Sequence, residues 1–169
     1  MDLSLRDTTE ADLRAVQALE CDPDVAPWIS PWPRERHVRT FSDADMAHLT
    51  YSAADGRFEG FLLLAGLTDP AGSLELRRIA LQSRGRGLRS AAFELALARC
   101  FDTYGARRVW LDMLPSNERA AAVYARAGLL DEGILVNAHP LPDGSLGHLR
   151  VMSISARERA ATRASPRVS

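Results

Sequence analysis

The segment Leu74–Phe101, LELRRIALQSRGRGLRSAAFELALARCF, contains a strand pattern, a turn rich in arginine and glycine, and a long apolar helix pattern in direct succession. Gly85 and Gly87 stand at the start of the predicted helix. The first backbone N–H groups of a helix have no helical partner and carry partial positive charge. The turn therefore predicts a site for an anion, and phosphate is the anion that most often binds there.

Composition narrows the possible functions. The chain has 169 residues, 46% of them hydrophobic, which fits one compact domain. Its net charge is -1 and its basic residues are dispersed, so we expect neither nucleic acid nor a membrane surface as a partner. All 21 basic residues are arginine. The lack of lysine excludes a Walker A loop and a pyridoxal phosphate Schiff base.

The cysteines and the N-terminal segment indicate a cytoplasmic protein. Cys21 and Cys100 are far apart, and no Cys-x-x-Cys pair or histidine cluster accompanies them. We therefore expect no metal site and no disulfide framework, and Cys100 is predicted to be a core residue. The segment MDLSLRDTTEADL has no apolar signal core, and no apolar run is long enough to span a bilayer.

From the N-terminus to the C-terminus, the sequence patterns predict the order strand, helix, loop, three strands, helix, strand, helix and two strands. Thr9 with Asp12 predicts the start of a helix over 10–20, and a short helix is expected after Pro33. An antiparallel meander follows from His48, then a helix over 86–104 that ends before Gly105. The domain is completed by a strand at RRVWLDML, a helix that stops at Gly128 and a hairpin around Asp143-Gly144. We expect a single domain over residues 1–155. Residues 156–169 are predicted to be a flexible tail.

Two common phosphate-binding patterns do not fit the turn. A dinucleotide fingerprint requires a third glycine where Ser90 stands and a doubly wound parallel sheet. A Walker A loop requires lysine. The turn fits a third pattern, Arg/Gln-x-x-Gly-x-Gly/Ala, and the helix that follows the next strand, SNERAAAVYARAGL, fits Asn-x-x-Ala-x-x-x-Tyr-x-x-x-Gly at Asn117, Ala120, Tyr124 and Gly128.

With these two motifs, residues 3–155 resemble the GNAT N-acetyltransferases, and more narrowly their RimJ/RimL-like branch, which acetylates ribosomal proteins. The resemblance implies an α/β GNAT fold: a mixed, mostly antiparallel twisted sheet with helices on both faces. It implies direct acetyl transfer from acetyl-CoA to a primary amine, without a covalent acyl-enzyme or a metal. The implied acceptor is a protein or peptide N-terminus or a small amine.

The resemblance also implies the cofactor site. The diphosphate of acetyl-CoA would bind the amides of the turn, and the pantetheine arm would lie between splayed strands at RRIAL and RRVWLDML. A backbone N–H of the strand that contains RRIAL would hold the oxyanion of the tetrahedral intermediate. The implied cofactor-binding residues are Ile79, Ala80, Leu81, Arg84, Gly85, Arg86, Gly87, Leu88, Arg89, Asn117 and Tyr124.

The turn departs from the family pattern. If the motif begins at Arg84, Gly87 takes the fourth position, but Arg89 stands where glycine or alanine is expected. If it begins at Gln82, both Gly85 and Gly87 fit, but the helix is shifted. We favour the first alignment because it keeps the spacing to the following strand. Arg89 then either weakens cofactor binding or binds a phosphate itself.

Three side chains are candidates for proton transfer. The family's tyrosine at the position of Tyr124 lies near the thioester sulfur, so Tyr124 is the candidate proton donor, with a core role as the alternative. Glu75 and Asp112 are the candidate general bases, and salt bridges to Arg77 or Arg108 are their alternatives. Asn117 is a cofactor contact or a helix cap.

The proline-rich segment 21–47 is expected to set acceptor specificity. Trp28 and Trp32 either wall an acceptor pocket or pack on the core. The four histidines stand in or near predicted loops and hairpin ends, and His37 is a weaker candidate for a base. Two other functions stay open: a non-catalytic acyl-CoA-binding or regulatory module, and a nucleotide-binding domain. The chain is a monomer or a homodimer.

Overall fold

One mixed sheet organises the molecule. The computed structural model describes residues 3–82, 87–141 and 143–164. In these ranges the strand order is β1-β2-β3-β4-β5-β7-β6, and every neighbouring pair is antiparallel except β4 and β5, which are parallel. The strands are β1 (Leu3–Asp7), β2 (Met46–Ala53), β3 (Phe58–Ala65), β4 (Ser73–Leu81), β5 (Arg108–Met113), β6 (Leu130–Pro140) and β7 (Leu146–Ser155). The helices are α1 (Leu13–Glu20), α2 (Arg34–Thr40), α3 (Leu88–Ala98), α4 (Glu118–Arg126) and α5 (Ala156–Ala164).

Helix starts follow the local signals in the sequence. A single 3₁₀ turn, Glu10–Asp12, leads into α1, and the Asp12 carboxylate accepts hydrogen bonds from the backbone N–H and hydroxyl of Thr9, at 2.8 and 2.9 Å. Helix α2 begins directly after Pro33. Both helices start where the sequence predicts, because a capping side chain or a fixed proline φ favours a helix start.

The two faces of the sheet are covered by different helices. On one face, α3 and α4 cover the main core, which includes Leu74, Leu76 and Leu111. On the other face, α1 packs on Phe61 and Ala80. Successive side chains of a strand point to opposite faces. Glu75 therefore lies on the α1 face, between Leu74 and Leu76.

The parallel strands β4 and β5 separate after a short contact. They pair only from Ser73–Arg108 to Glu75–Trp110. In the pairing of β4 with β3, Leu64 lies opposite Leu76 and Leu63 opposite Arg78, so Arg77 is the extra residue of a β-bulge. A bulge bends its strand, and here it turns β4 away from β5. We call the resulting opening beyond Glu75 and Trp110 the β4–β5 gap.

Two predicted boundaries were wrong. Helix α3 begins at Leu88 rather than at 86, because its N-cap Gly87 has φ +86°, which cannot continue a helix. The segment after Ser155 was predicted to be flexible, yet residues 156–164 form α5. A capping box begins this helix: the Glu158 carboxylate accepts from the N–H and hydroxyl of Ser155. Arg159 then binds Glu94 of α3 at 2.7 Å.

No helix among the described residues is long and apolar enough to cross a bilayer.

Candidate functional site

The β4–β5 gap lies beside several of the predicted site residues. Ile79 and Leu81 are half-buried on β4 and pack against the same core cluster as Tyr124, on the α3 and α4 face. Ala80 points to the opposite face and packs near α1. The structure thus places Ile79, Leu81 and Tyr124 on the same face of the sheet. The bulge at Arg77 sets this arrangement, because it reverses which residues of β4 face each side.

Helix α3 begins at the end of β4 that carries the gap. Within the part of the chain that the structure describes, no heavy atom lies within 4 Å of the position that a Cβ on the N-cap Gly87 would occupy, so a ligand can approach its backbone closely. Leu88 is buried, and the exposed Arg89 follows in the first turn. Arg89 also borders a small pocket with Leu81 and Gln82. The predicted diphosphate contacts Arg84, Gly85 and Arg86 lie outside the described residues, so the choice between the two alignments of the turn stays open.

Tyr124 lies in a mostly apolar environment on α4. Its ring centroid is 4.6 Å from that of Phe93, with the planes tilted by 39°. Burial raises the pKa of Tyr124 to about 12, and the charge of Arg89 opposes that shift. The phenol therefore stays protonated throughout the neutral and mildly alkaline range, which a proton donor requires.

Asn117 is the N-cap of α4. Its Oδ1 accepts a hydrogen bond from the backbone N–H of Ala120 at 3.2 Å. This is the capping role that the sequence left open for Asn117. At the other end of α4, Gly128 has φ +97° and stops the helix as predicted.

Glu75 and Asp112 lie on the α1 face beside the gap. The guanidinium of Arg77 binds Glu75, with Nη2 2.6 Å and Nε 3.1 Å from Oε2. This is the salt bridge that the sequence offered as the alternative to a catalytic role for Glu75. Desolvation and the negative charge of Glu75 raise the pKa of Asp112, while the charges of His139 and Arg77 lower it. Asp112 is thus a carboxyl group with increased basicity, and His139 is a neighbour that the sequence did not identify.

Arg108 does not take the role that the sequence gave as the alternative for Asp112. Its guanidinium binds Glu132 at 2.5 Å and the hydroxyl of Ser73 at 3.2 Å. Arg108 thereby links β5 to β4 and to β6.

A buried polar cluster next to the gap was missed by the sequence analysis. Glu20 ends α1 and is fully buried. Its Oε2 accepts from the backbone N–H of Trp32 at 2.9 Å and lies 3.2 Å from Nε2 of His37. Its Oε1 accepts from Nη1 of Arg78 at 2.5 Å. We call Glu20, Trp32, His37 and Arg78 the Glu20 cluster.

Trp32 is buried within this cluster, whereas Trp28 is exposed. The guanidinium carbons of Arg36 and Arg78 lie 3.8 and 4.1 Å from the centre of the Trp32 ring. Trp32 is 8% exposed and Trp28 45% exposed. Trp32 therefore packs on the core, the second of the two roles that the sequence left open.

The histidines of the first half of the chain are buried, although the sequence suggested ordinary polar positions in or near loops and hairpin ends. His37 lies in α2 and His48 in β2, and Nδ1 of His37 is 3.0 Å from Nε2 of His48. Nδ1 of His48 lies 2.9 Å from the hydroxyl of Thr8, which in turn is 2.8 Å from that of Thr50. A polar chain therefore runs from Glu20 through both histidines to β2. His37 is fully buried and held at both nitrogens, which disfavours its predicted role as a base for substrate.

The buried position of His48 predicts that the protein loses stability in acid. Burial, followed by the charge of His37, lowers the pKa of His48 to about 4. In the unfolded chain the pKa of histidine is about 6.5. The unfolded state therefore binds more protons between about pH 6.5 and 4, and in this window the free energy of unfolding falls by about 3 kcal/mol as pH is lowered.

Urea unfolding at pH 7.5, 6 and 5 measures this effect. A His48→Gln variant keeps one donor and one acceptor but cannot be protonated, so its unfolding free energy should depend less on pH. Equal pH dependence in the two proteins would contradict the assignment to His48.

Comparison with known proteins agrees with this geometry. Residues 2–130 match the family model of the acetyltransferase (GNAT) domain. Uncharacterised N-acetyltransferases of Mycobacterium tuberculosis and Mycobacterium bovis are 31% identical over 145 residues, which cover 74% of this chain and 86% of the relative.

Solved structures share the fold. The spermidine N-acetyltransferase of Vibrio cholerae, in complex with CoA and spermine, is similar with a TM-score of 0.83 at 20% identity, covering 94% of this chain and 98% of that one. A crystal structure of a putative acetyltransferase is similar with a TM-score of 0.79 at 22% identity, covering 96% and 87%. With the family match and the relatives above, the chain belongs to the GNAT family and is an acetyl-CoA-dependent N-acetyltransferase.

Proposed function

We propose that acetyl transfer takes place at the β4–β5 gap, with Asp112 as proton acceptor on one face of the sheet and Tyr124 as proton donor on the other. The observation that carries this proposal is the placement of the two groups. Asp112 lies next to Leu111 in β5 and so points away from the core face, while Tyr124 packs on that core face. Direct transfer needs a proton acceptor near the attacking amine and a separate proton donor near the sulfur, and two groups on opposite faces of the sheet can serve these two positions.

The residues around the gap fit acetyl-CoA. The free amides at the start of α3, the open approach to Gly87 and the cation of Arg89 suit a diphosphate. Ile79 and Leu81 would hold the pantetheine arm at the edge of β4 that β5 leaves unpaired, and a backbone N–H there would hold the oxyanion. When bound, acetyl-CoA supplies an acetyl group activated as a thioester.

Asp112 and Tyr124 keep the proton balance. Asp112 takes the proton of the amine as the N–C bond forms, and Tyr124 donates a proton to the sulfur as the C–S bond breaks. Asp112 is preferred to Glu75 because the guanidinium of Arg77 already occupies Oε2 of Glu75 with two hydrogen bonds. The charge of Glu75 has the opposite effect on Asp112, whose pKa it raises.

We propose further that the acceptor is the α-amine of a peptide or protein, as in the RimJ/RimL-like branch. The α1 face beside the gap carries arginines as well as carboxylates. Arg77 offsets Glu75, and Arg78 offsets Glu20. A polyamine with several positive charges requires an excess of carboxylates. An α-amine carries one charge, and its pKa of about 8 leaves it partly neutral at physiological pH, whereas an aliphatic side-chain amine has a pKa near 10.

Competition among three acceptors tests this choice. Thiol release from acetyl-CoA would be followed with an octapeptide that has a free α-amine, with the same peptide blocked at its N-terminus but containing a lysine, and with spermidine. We expect kcat/KM for the free α-amine to exceed the other two by at least about tenfold, in line with the difference in neutral fraction. Intact mass of the peptide product would identify the acetylated nitrogen.

Other results would lead to different conclusions. A preference for spermidine would show that the acceptor is a small polyamine and would leave acetyl transfer in place. Binding of acetyl-CoA without thiol release across a wide panel of amines and peptides would favour a non-catalytic acyl-CoA-binding module instead.

A further inference from the structure

Segment 21–33, which links α1 to α2, is hydrogen-bonded to β4 through the side chain of Arg78. Arg78 donates from Nη2 to the backbone carbonyl of Ser30 at 2.8 Å and from Nη1 to Glu20. Because the bulge at Arg77 turns Arg78 to the α1 face, the guanidinium reaches from the strand beside the gap to this segment. Arg78 therefore helps to fix the position of the segment relative to the gap, together with the packing of Val25 and Ile29 against the cluster that contains Ala80.

Glu20 in turn fixes Arg78. Its two oxygens accept from three different parts of the chain: β4 through Arg78, the linking segment through the amide of Trp32, and α2 through His37. Burial alone would raise the pKa of Glu20, but the bonds from His37 and Trp32 and the charge of Arg78 outweigh it and lower the pKa. A buried carboxylate whose two oxygens both accept hydrogen bonds holds its partners in one geometry, and removing its charge leaves the guanidinium of Arg78 without its carboxylate partner.

We infer that Glu20 is a positioning residue for acceptor binding, which acts by holding Arg78 and segment 21–33 in place beside the β4–β5 gap. The inference rests on the proposed function, because that places the acceptor on the α1 face. Acetyl-CoA would be held mainly from the α3 side. Among the described residues, the hydrogen bonds of the Glu20 cluster do not reach α3. Loss of the carboxylate should therefore affect the two substrates unequally.

The test is Glu20→Gln. A glutamine of nearly the same size can accept at only one of its two terminal atoms, while both atoms of Glu20 face donors. We expect the KM for the acceptor to rise roughly tenfold, with kcat and the KM for acetyl-CoA within about twofold of wild type; tenfold corresponds to the loss of about one charged hydrogen bond. Partial unfolding alone would lower the apparent kcat and leave both KM values unchanged.

Two further variants complete the design. Glu94→Gln removes a carboxylate that binds the buried Arg159 on the other face, so it controls for loss of an ion pair and should leave the acceptor KM unchanged. Arg78→Lys keeps the charge next to Glu20 but cannot reach Glu20 and Ser30 with the same fork, so it should reproduce the rise in acceptor KM if Glu20→Gln does not fold.

Hydrogen exchange of segment 21–33 reads the positioning directly. Exchange there should accelerate in Glu20→Gln and not in Glu94→Gln. The inference is overturned if folded Glu20→Gln keeps the wild-type acceptor KM and exchange, or if both KM values rise equally. The ratio of variant to wild type is measured with whichever amine the wild type acetylates. If the proposed acceptor is wrong, the wild-type enzyme will prefer a different amine. If the role of Glu20 is wrong, only the ratio of the acceptor KM in Glu20→Gln to that in the wild type will differ from the expected value.

Discussion

Tyr124→Phe is expected to lower kcat by about 10²-fold and to leave the affinity for acetyl-CoA nearly unchanged. The substitution removes only the hydroxyl, and a positioned proton donor typically contributes 10² to 10⁴ in rate. The ring itself packs on Phe93, and phenylalanine keeps that contact. Single-turnover rates and calorimetric titration with CoA would separate the chemical step from binding.

The stability of the variant serves as the control for this measurement. Since the apolar packing is kept, its unfolding free energy should stay within about 1 kcal/mol of wild type, the size of one net hydrogen bond. An unchanged kcat in the folded variant would remove Tyr124 from the mechanism and leave it a core tyrosine on α4.

The local elements of this fold could be predicted from the sequence because their signals are local. Thr9 with Asp12, Pro33 and Gly128 each mark a helix end within a few residues, and the structure confirms all three. The strands of the meander follow from short apolar runs that are separated by turn residues, Asp55-Gly56 and TDPAG. The start of α5 had a signal of the same kind, Ser155 with Glu158, which the arginine-rich composition of the tail concealed.

The Glu20 cluster could not be predicted in the same way. Glu20 and Arg78 are 58 positions apart, and their contact depends on the bulge at Arg77, which reverses the alternation of β4. Without that bulge the sequence pattern would place Arg78 on the core face. The same change of register places Ile79 and Leu81 on the core face and Ala80 on the α1 face. Glu75 and Asp112 were identified as a pair, but only the contact of Glu75 with Arg77 distinguishes their proposed roles.

Asp112→Asn is expected to lower kcat/KM for the acceptor by about 10²-fold near pH 7. Asparagine keeps the size of the side chain but cannot accept the proton of the amine, and a general base contributes 10² or more. A carboxylate acts as a base only above its pKa, so the wild-type rate should fall in acid through a limb set by the raised pKa of Asp112. In the variant this limb should be absent, and the remaining rate should follow the neutral fraction of the amine. Rates of thiol release from pH 5 to 9 would show both effects.

Glu75→Gln provides the matched comparison, because it decides which carboxylate is the base. The charge of Glu75 raises the pKa of Asp112, and removing it also releases the guanidinium of Arg77. Both changes favour the ionised form of Asp112, so the acidic limb should move to lower pH while the rate on the plateau falls less than in Asp112→Asn. If Glu75→Gln instead abolishes the limb and Asp112→Asn keeps it, the two carboxylates exchange roles. The direction of the shift thus tests both the identity of the base and the electrostatic coupling that makes Asp112 suitable for it.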